Sequence, residues 1–276
     1  MKLAIRGHDL GKKGEFDLKS ELMRYGFDGV QLVPHKTFSD YPYSPEISSE
    51  KAAATGKEFA DAKLEIFLLG AYFNPVHSNA GKVKLGVDVF KRYLELSKAF
   101  GCGYVGSETG SFNDDKWTYN PLNRTDDALR TVVETFSGLK DKADEVGSAV
   151  AMEGAAGHVC FCPERLKEAV DSIGGNIGII FDLYNYLDES NYADYKSILC
   201  KGFDLFDGKI LLFHMKDFSV EEGKIKQCAV GKGVIDYEWL IGAIKDYDKN
   251  AKLVLEGTTG SSIAPSAELI RTLWNK

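Results

Sequence analysis

The chain has 276 residues, of which 44% are hydrophobic and 27% are charged, and its net charge is −7. This length predicts one domain spanning residues 1–276, and the composition excludes a disordered or fibrous chain. The acidic balance, without any dense cluster of Lys and Arg, argues against a nucleic-acid partner.

Eight short apolar runs occur along the chain, each of the length of a β-strand. They are Leu3–Arg6, Val30–Pro34, Leu64–Leu69, Tyr104–Gly106, Ala149–Met152, Ile177–Phe181, Ile210–Phe213 and Leu253–Leu255. Their hydrophobicity is continuous rather than alternating, which is typical of parallel strands buried on both faces.

The segments between these runs predict amphipathic helices, in which apolar residues recur every three or four positions. Two segments show this spacing: Leu85, Val89, Tyr93, Leu96 and Phe100, then Leu129, Val132, Phe136, Leu139, Ala143 and Val146. Helix ends are indicated at Gly26, Gly101 and Gly147, and helix starts at Thr125 and Pro163. The last predicted helix runs from Ala264 to Trp274.

The count of strands and helices decides the fold class. Eight strand–helix units predict a single (β/α)₈ TIM barrel, which typically needs about 250 residues. A doubly wound open sheet is the structural alternative. It normally carries Gly-x-Gly-x-x-Gly after the first strand, and the turn Gly7-His8-Asp9 does not supply that motif.

Strands five to eight each end in a residue that commonly binds metal ions. They read Ala149-Val-Ala-Met-Glu153, Ile179-Ile-Phe-Asp182, Leu211-Leu-Phe-His214 and Leu253-Val-Leu-Glu256. Active sites of such barrels lie where the strands end, so these side chains are expected to converge. Three carboxylates and one imidazole in one place repel each other unless a cation lies among them. We therefore predict one divalent metal ion: Mn²⁺ is favoured, with Mg²⁺, Co²⁺ or Zn²⁺ as alternatives.

The same segments resemble the xylose-isomerase-like barrel superfamily, which includes sugar phosphate isomerases and epimerases. The resemblance rests on Ala-Met-Glu153, Asp182-Leu-Tyr-Asn185, His214-Met-Lys-Asp217, Gly231-Lys-Gly233 followed by Asp236, and Leu-Glu256-Gly. It implies that the Glu-Asp-His-Glu set binds the metal and that Glu153 and Glu256 also move a proton. It further implies a small carbohydrate substrate, and homo-oligomers are common among such relatives.

The expected chemistry is proton transfer next to a carbonyl group. A sugar with adjacent carbonyl and hydroxyl oxygens can chelate the metal, which acidifies the C–H between them and stabilises an enediolate. One glutamate removes the proton, and the other returns it to the opposite face or to the neighbouring carbon. The sequence thus predicts a metal-dependent isomerase or epimerase that acts on a sugar, a sugar phosphate or a cyclitol.

Two positions depart from the ketose 3-epimerases within that superfamily. Asn185 stands where they usually carry His, and Val220 stands where they tend to carry Arg. Both positions contact substrate hydroxyls in those relatives, so the resemblance does not imply activity on a free ketose.

Further polar residues near the predicted mouth of the barrel are candidates for roles in the site. His158 is predicted as a second proton carrier, because an imidazole titrates near neutral pH. Substrate contacts are predicted for His8, His35, Glu108, Asn185 and Lys216. The alternative for these residues is a hydrogen bond within a loop, and for Lys216 an ion pair with Asp217.

Other functions and locations are also considered. A dehydratase or lyase of an inosose or an oxidised sugar uses the same carbanion to expel a leaving group. A non-catalytic sugar-binding subunit is a different class, and intact Glu153 and Glu256 argue against it. A DNA-repair nuclease needs more histidines than the five present, together with a basic face. The N-terminal segment turns polar at once and no apolar run is long enough for a membrane span, so we expect a cytoplasmic protein without a membrane partner.

Overall fold

The computed structural model describes residues 1–276 and contains a closed barrel of eight parallel strands. The barrel strands are β1 (Lys2–Arg6), β2 (Gly29–Leu32), β3 (Glu65–Gly70), β4 (Tyr104–Glu108), β5 (Ala149–Glu153), β6 (Ile177–Asp182), β7 (Ile210–Met215) and β10 (Lys252–Leu255). Each strand pairs with its sequence neighbours around the barrel, and β1 pairs with β10 to close it. The predicted (β/α)₈ TIM barrel is thereby confirmed.

Helices follow the strands and cover the outside of the barrel. They are α1 (Leu18–Arg24), α2 (Pro34–Thr37), α3 (Ser49–Asp61), α4 (Ala80–Leu96), α5 (Asp126–Val146), α6 (Pro163–Ile173), α7 (Tyr195–Leu205), α8 (Tyr237–Tyr247) and α9 (Ile263–Trp274). The predicted end signals are found at α5, where the Thr125 side chain accepts a hydrogen bond from Ala128 N and Gly147 has a φ of +68°. None of the helices combines the length and apolar composition that crossing a membrane requires.

Three details of the sequence prediction are corrected by the structure. The second strand ends at Leu32 rather than Pro34, because Pro34 occupies the first position of α2, where a missing backbone N–H costs nothing. Leu85, predicted on the apolar face of α4, is 40% exposed. Phe100 is buried but lies beyond the end of α4 at Leu96.

The positions of the candidate site residues follow from the two-residue period with which side chains alternate along a β-strand. A small core cluster consists of Ala4, Phe67, Leu68, Ala151, Ile180, Leu212 and Val254. Side chains two residues apart on a strand point to the same side. The residues two positions beyond the last four members are Glu153, Asp182, His214 and Glu256. They form the next layer toward the carboxyl end of the strands.

An antiparallel hairpin after β7 was not predicted from the sequence. It comprises β8 (Asp217–Glu221) and β9 (Lys224–Cys228). Asp217, fully buried at its start, accepts four backbone hydrogen bonds, from Phe218 N, Gly231 N, Gly233 N and Ile235 N, at 2.8 to 3.2 Å. One carboxylate therefore fixes both the hairpin and the Gly231-Lys-Gly233 segment that leads to α8.

We expect Asp217→Asn to destabilise the fold by roughly 2–4 kcal/mol, because an amide nitrogen replaces one oxygen that accepts from buried N–H groups. Urea unfolding followed by circular dichroism measures the loss. Glu268→Gln, at an exposed position on α9, is the matched control with an expected change within about 0.5 kcal/mol. Equal midpoints for the two variants would show that Asp217 does not organise this region.

Candidate active site

The four predicted metal ligands lie together at the carboxyl end of the barrel. One ligand atom from each of Glu153, Asp182, His214 and Glu256 lies within 4.8 Å of the others, and all four residues are buried. The imidazole is at the centre of the group. His214 Nδ1 lies 2.8 Å from Glu256 Oε2, 3.1 Å from Glu153 Oε1 and 3.3 Å from Asp182 Oδ2.

The donor set fits a divalent metal ion. Three carboxylate oxygens and one imidazole nitrogen converge from four neighbouring strands, and this mixture suits Mn²⁺, Mg²⁺, Co²⁺ or Zn²⁺. Asp182 Oδ2 is buried and makes no well-directed hydrogen bond, although Lys216 Nζ lies 2.8 Å away. A buried carboxylate oxygen without a directed donor is available to a metal ion.

Gln31 orients the histidine of this group. Its Oε1 lies 2.6 Å from His214 Nε2, and its Nε2 donates to Tyr72 Oη at 2.7 Å. His214 Nε2 donates its proton to Gln31, so Nδ1 is the nitrogen that faces the carboxylates and would bind a metal ion once its own proton has left. The tautomer that a metal ligand needs is therefore favoured by a side chain outside the group.

Two further cations balance the buried carboxylates. Lys216 Nζ lies 2.8 Å from Asp182 Oδ2 and 2.9 Å from Glu256 Oε1. Arg6 donates to Glu256 Oε1 at 2.7 Å and also pairs with Asp9. The chain itself therefore supplies part of the positive charge that balances these carboxylates. The alternative ion pair of Lys216 with Asp217 is not formed, since Asp217 binds backbone N–H groups instead.

The two glutamates experience different surroundings. Burial raises the pKa of Glu153, and His214 only partly offsets this effect. Burial also raises the pKa of Glu256, but the positive charges of Lys216, His214 and Arg6 outweigh this effect. They hold the pKa of Glu256 well below its usual range. Burial lowers the pKa of His214, yet the carboxylates of Glu256 and Glu153 raise it well above the ordinary value. The site thus contains one strongly ionised glutamate and one with a higher proton affinity.

A cavity of about 320 Å³ opens onto this group, and we call it the mouth cavity. It is lined by Arg6, His8, Lys36, Tyr72, Glu108, Trp117, Glu153 and Glu256. Both glutamates of the candidate site therefore face the same space. Burial, followed by the charges of Arg6 and Lys36, lowers the pKa of His8 to about 3, so this imidazole is neutral.

The other predicted site residues are distributed around this cavity. His8 and Glu108 line it. Asn185 donates to Glu153 Oε1 at 2.8 Å and accepts from Lys216 Nζ at 3.0 Å, so it lies behind the carboxylates. His35 lines a neighbouring cavity. His158 is buried, with its ring 5.5 Å from that of Trp117, and it makes no hydrogen bond to the four clustered residues.

Four residues of the site were missed by the sequence prediction: Arg6, Gln31, Lys36 and Trp117. Two of them carried a usable signal. Arg6 lies two positions after the interior residue Ala4, and Gln31 is a polar residue inside the second apolar run. Lys36 and Trp117 lie outside the strands, where no periodicity indicates which side chains turn toward the barrel axis.

Comparison with known proteins agrees with this architecture. The chain matches the model of the xylose isomerase-like TIM barrel family over residues 20–273. A comparison with curated proteins found no match. Three similar solved structures show the same fold at low sequence identity.

The first is a D-tagatose 3-epimerase-like protein, at 18% identity and a TM-score of 0.78, with 100% of this chain and 97% of that chain covered. The second is the IOLI protein with a binding zinc atom, at 17% identity and a TM-score of 0.70, with 100% of this chain and 95% of that chain covered. The third is the probable 3-DHS dehydratase AsbF from Bacillus anthracis, at 13% identity and a TM-score of 0.75, with 100% of both chains covered.

We expect Gln31→Leu to weaken the binding of Mn²⁺ and Zn²⁺ by about 10- to 100-fold, because the leucine cannot hold the His214 tautomer. Competition with a chelating dye measures both affinities. Gln31→Glu keeps an acceptor for His214 Nε2 and is expected to retain more of the affinity. Metal affinities of Gln31→Leu equal to those of the wild type would contradict the orienting role.

We expect Lys216→Met to lower the stability of the metal-free protein by about 3 kcal/mol, because removing one member of a buried ion pair leaves the carboxylates unbalanced. Added Mn²⁺ is expected to restore much of the loss, since it supplies positive charge at the same oxygens. Urea unfolding with chelator and with Mn²⁺ measures both effects. Lys226→Met, which removes an exposed ion pair with Glu221, is the control with an expected loss of about 0–1 kcal/mol. A Lys216→Met variant as stable as this control in chelator would contradict the charge balance.

Proposed function

The chain belongs to the xylose isomerase-like TIM barrel family, and on that premise we propose that it is a divalent-metal-dependent isomerase or epimerase of a sugar, sugar phosphate or cyclitol. One observation carries this proposal: Glu153 and Glu256 face the same cavity while contacting the same imidazole nitrogen. Two carboxylates with different proton affinities beside one substrate are what proton abstraction and return require.

The proposed metal ligands are Glu153, Asp182, His214 and Glu256, with Mn²⁺ as the favoured ion. Zinc is supported as an alternative by the zinc atom in the IOLI structure. When bound, such an ion polarises a substrate carbonyl and stabilises the negative charge that develops on its oxygen.

The side chains of this protein account for the proton movement. Glu153 has the higher proton affinity, so we assign it the removal of the substrate proton. Glu256 is held in place by Arg6 and Lys216, and it faces the substrate from another strand. Glu153 then releases this proton to solvent. Glu256 takes up a solvent proton and delivers it to the opposite face, which gives the epimer, or to the neighbouring carbon, which gives the isomer.

The remaining lining residues are suited to hydroxyl groups. His8 is a neutral imidazole whose Nδ1 has no partner, and Glu108 makes no hydrogen bond within the protein. We propose both as substrate contacts. Lys216 and Asn185 are proposed to position Glu256 and Glu153 rather than to touch the sugar directly. A proton-transfer role for His158, homo-oligomer formation and the cytoplasmic location stay predictions.

A dehydratase is the second candidate, and the full-length likeness to a probable 3-DHS dehydratase favours it. Both reactions begin with removal of a proton next to a carbonyl. They differ afterwards, because a dehydratase expels a hydroxyl group from the adjacent carbon whereas an isomerase reprotonates the enediolate. The mass of the product separates them, since dehydration removes one water molecule.

The proposal is tested by deuterium incorporation from D₂O into a panel of ketoses, inososes and sugar phosphates, followed by NMR with Mn²⁺-loaded protein. We expect Glu153→Gln to lower the rate of incorporation by about 10²- to 10⁴-fold, because a neutral amide cannot accept the proton. Glu256→Gln is expected to abolish the epimerised or isomerised product to a similar extent.

Glu268→Gln serves as the control, since this residue is exposed on α9 and does not line the mouth cavity. Incorporation rates unchanged in both active-site variants would refute the assigned proton transfer. Failure of the wild-type protein to exchange or convert any member of the panel would count against both candidate reactions.

A further inference from the structure

A second cavity, of about 350 Å³, lies beside the mouth cavity, and we call it the side cavity. It is lined by His35, Tyr43, Tyr72, Phe73, Asn74, His77, Lys82, Leu85, Asp115 and Trp117. Two of these residues, Tyr72 and Trp117, line both cavities. The two cavities therefore share two of their walls.

The side cavity presents flat and apolar surfaces. Four of its walls are aromatic rings, from Tyr43, Tyr72, Phe73 and Trp117. Leu85 lies at its rim and is one of the few large apolar side chains of the protein with substantial exposure, at 40%. An exposed leucine beside a ring-lined cavity is expected to contact an apolar ligand group, because burial of both surfaces is favourable.

Most polar groups of this cavity are already engaged within the protein. Asn74 binds Ser111 and Asp114 through its amide, while His77 and Lys82 pair with Asp115. The exception is His35, whose buried Nδ1 has no hydrogen-bond partner. The side cavity thus combines aromatic and apolar walls with a few polar side chains, which is the usual composition of a small-molecule site.

The Trp117 wall is held in a fixed position. Its backbone has a φ of +52°, an uncommon value for a residue other than glycine. The loop before it is tied down through Asp114, which accepts hydrogen bonds from Ser78 N and Ser78 Oγ at 2.8 Å each. His158 supports the ring from another side at 5.5 Å. A strained conformation kept by several contacts indicates a preformed binding surface.

The Tyr72 wall is connected to the candidate metal site. Tyr72 Oη accepts from Gln31 Nε2, and Gln31 Oε1 contacts His214 Nε2. A group bound against Tyr72 is therefore two hydrogen bonds away from the histidine of the site. A third cavity, lined by Tyr119, Asp188 and Glu189 among others, shares only Trp117 with the mouth cavity. The side cavity thus shares more of its wall with the mouth cavity, whereas the third cavity is linked to the site through Asn185, which donates to Glu153 Oε1.

We propose that the substrate is a carbohydrate that carries a carbonyl group on its ring and is linked to a second, flat, partly apolar ring, such as an aryl or heteroaryl glycoside of a keto sugar. The carbohydrate unit occupies the mouth cavity beside Glu153 and Glu256, and the second ring occupies the side cavity between Tyr43, Phe73 and Leu85. This inference rests on the proposed function for the position of the reacting unit, and it adds the substituent that the substrate carries.

Calorimetric titration of Mn²⁺-loaded protein with matched methyl and phenyl β-glycosides of glucose, galactose and mannose tests the proposal. We expect the phenyl member of at least one pair to bind about tenfold or more tightly than the methyl member, because the side cavity buries the added ring. Leu85→Glu places a charge at the rim and is expected to reduce this ratio to below twofold. Tyr119→Ser, in the third cavity, is the matched control and is expected to keep the ratio.

Equal binding of the methyl and phenyl members in all three pairs, or no binding by either, overturns the proposal. So does a phenyl preference that Tyr119→Ser abolishes and Leu85→Glu leaves intact. Because this experiment measures binding without turnover, it is independent of the deuterium experiment. A phenyl preference with no deuterium incorporation into the panel or into a phenyl glycoside of a keto sugar refutes the proposed function alone. Incorporation into free ketoses without a phenyl preference refutes this inference alone.

Discussion

The rest of the site depends on one constraint: three carboxylates are buried together at the end of the barrel and must be balanced by positive charge. Transfer of a carboxylate out of water is costly unless ion pairs and hydrogen bonds replace its hydration. The protein meets this requirement with His214 at the centre, with Lys216, which pairs with Asp182 and Glu256, and with Arg6 on β1, the strand that pairs with β10. This arrangement explains why buried cations surround a group whose ligand atoms also suit a metal ion.

Barrel geometry explains why these residues meet at all. They come from four strands spread over more than one hundred residues of sequence, yet each stands two positions beyond an interior residue such as Ile180 or Val254. The register places Asp182 directly opposite His214, and His214 opposite Val254. A residue type at a strand end thus becomes a spatial neighbour because parallel strands present their carboxyl ends at one edge.

The part of the site that follows this rule could be predicted from the sequence. Eight apolar runs indicated the barrel. The polar residues at the ends of the last four runs, which form β5, β6, β7 and β10, indicated the cluster of Glu153, Asp182, His214 and Glu256. Arg6 and Gln31 obey the same period, but neither residue type is a common metal ligand, so the metal-ligand pattern did not indicate them. The hairpin around Asp217 could not be anticipated, because its β9 strand is mostly polar and its order comes from one buried carboxylate. The positions of Trp117 and Lys36 depend on loop conformation, for which side-chain periodicity gives no information.

The contacts of individual oxygens show how the internal cations and a metal ion can act at the same carboxylates. The two oxygens of Glu256 have different partners: Oε2 faces His214, while Oε1 faces Lys216 and Arg6. A metal ion on Oε2 therefore leaves the ion pairs on Oε1 in place. At Asp182, Oδ1 accepts from Asn185 N, so Oδ2 alone is left to face both His214 and Lys216. Competition between Lys216 and a metal ion would thus be confined to one oxygen of Asp182, whereas at Glu153 the oxygen that faces His214 also accepts from Asn185.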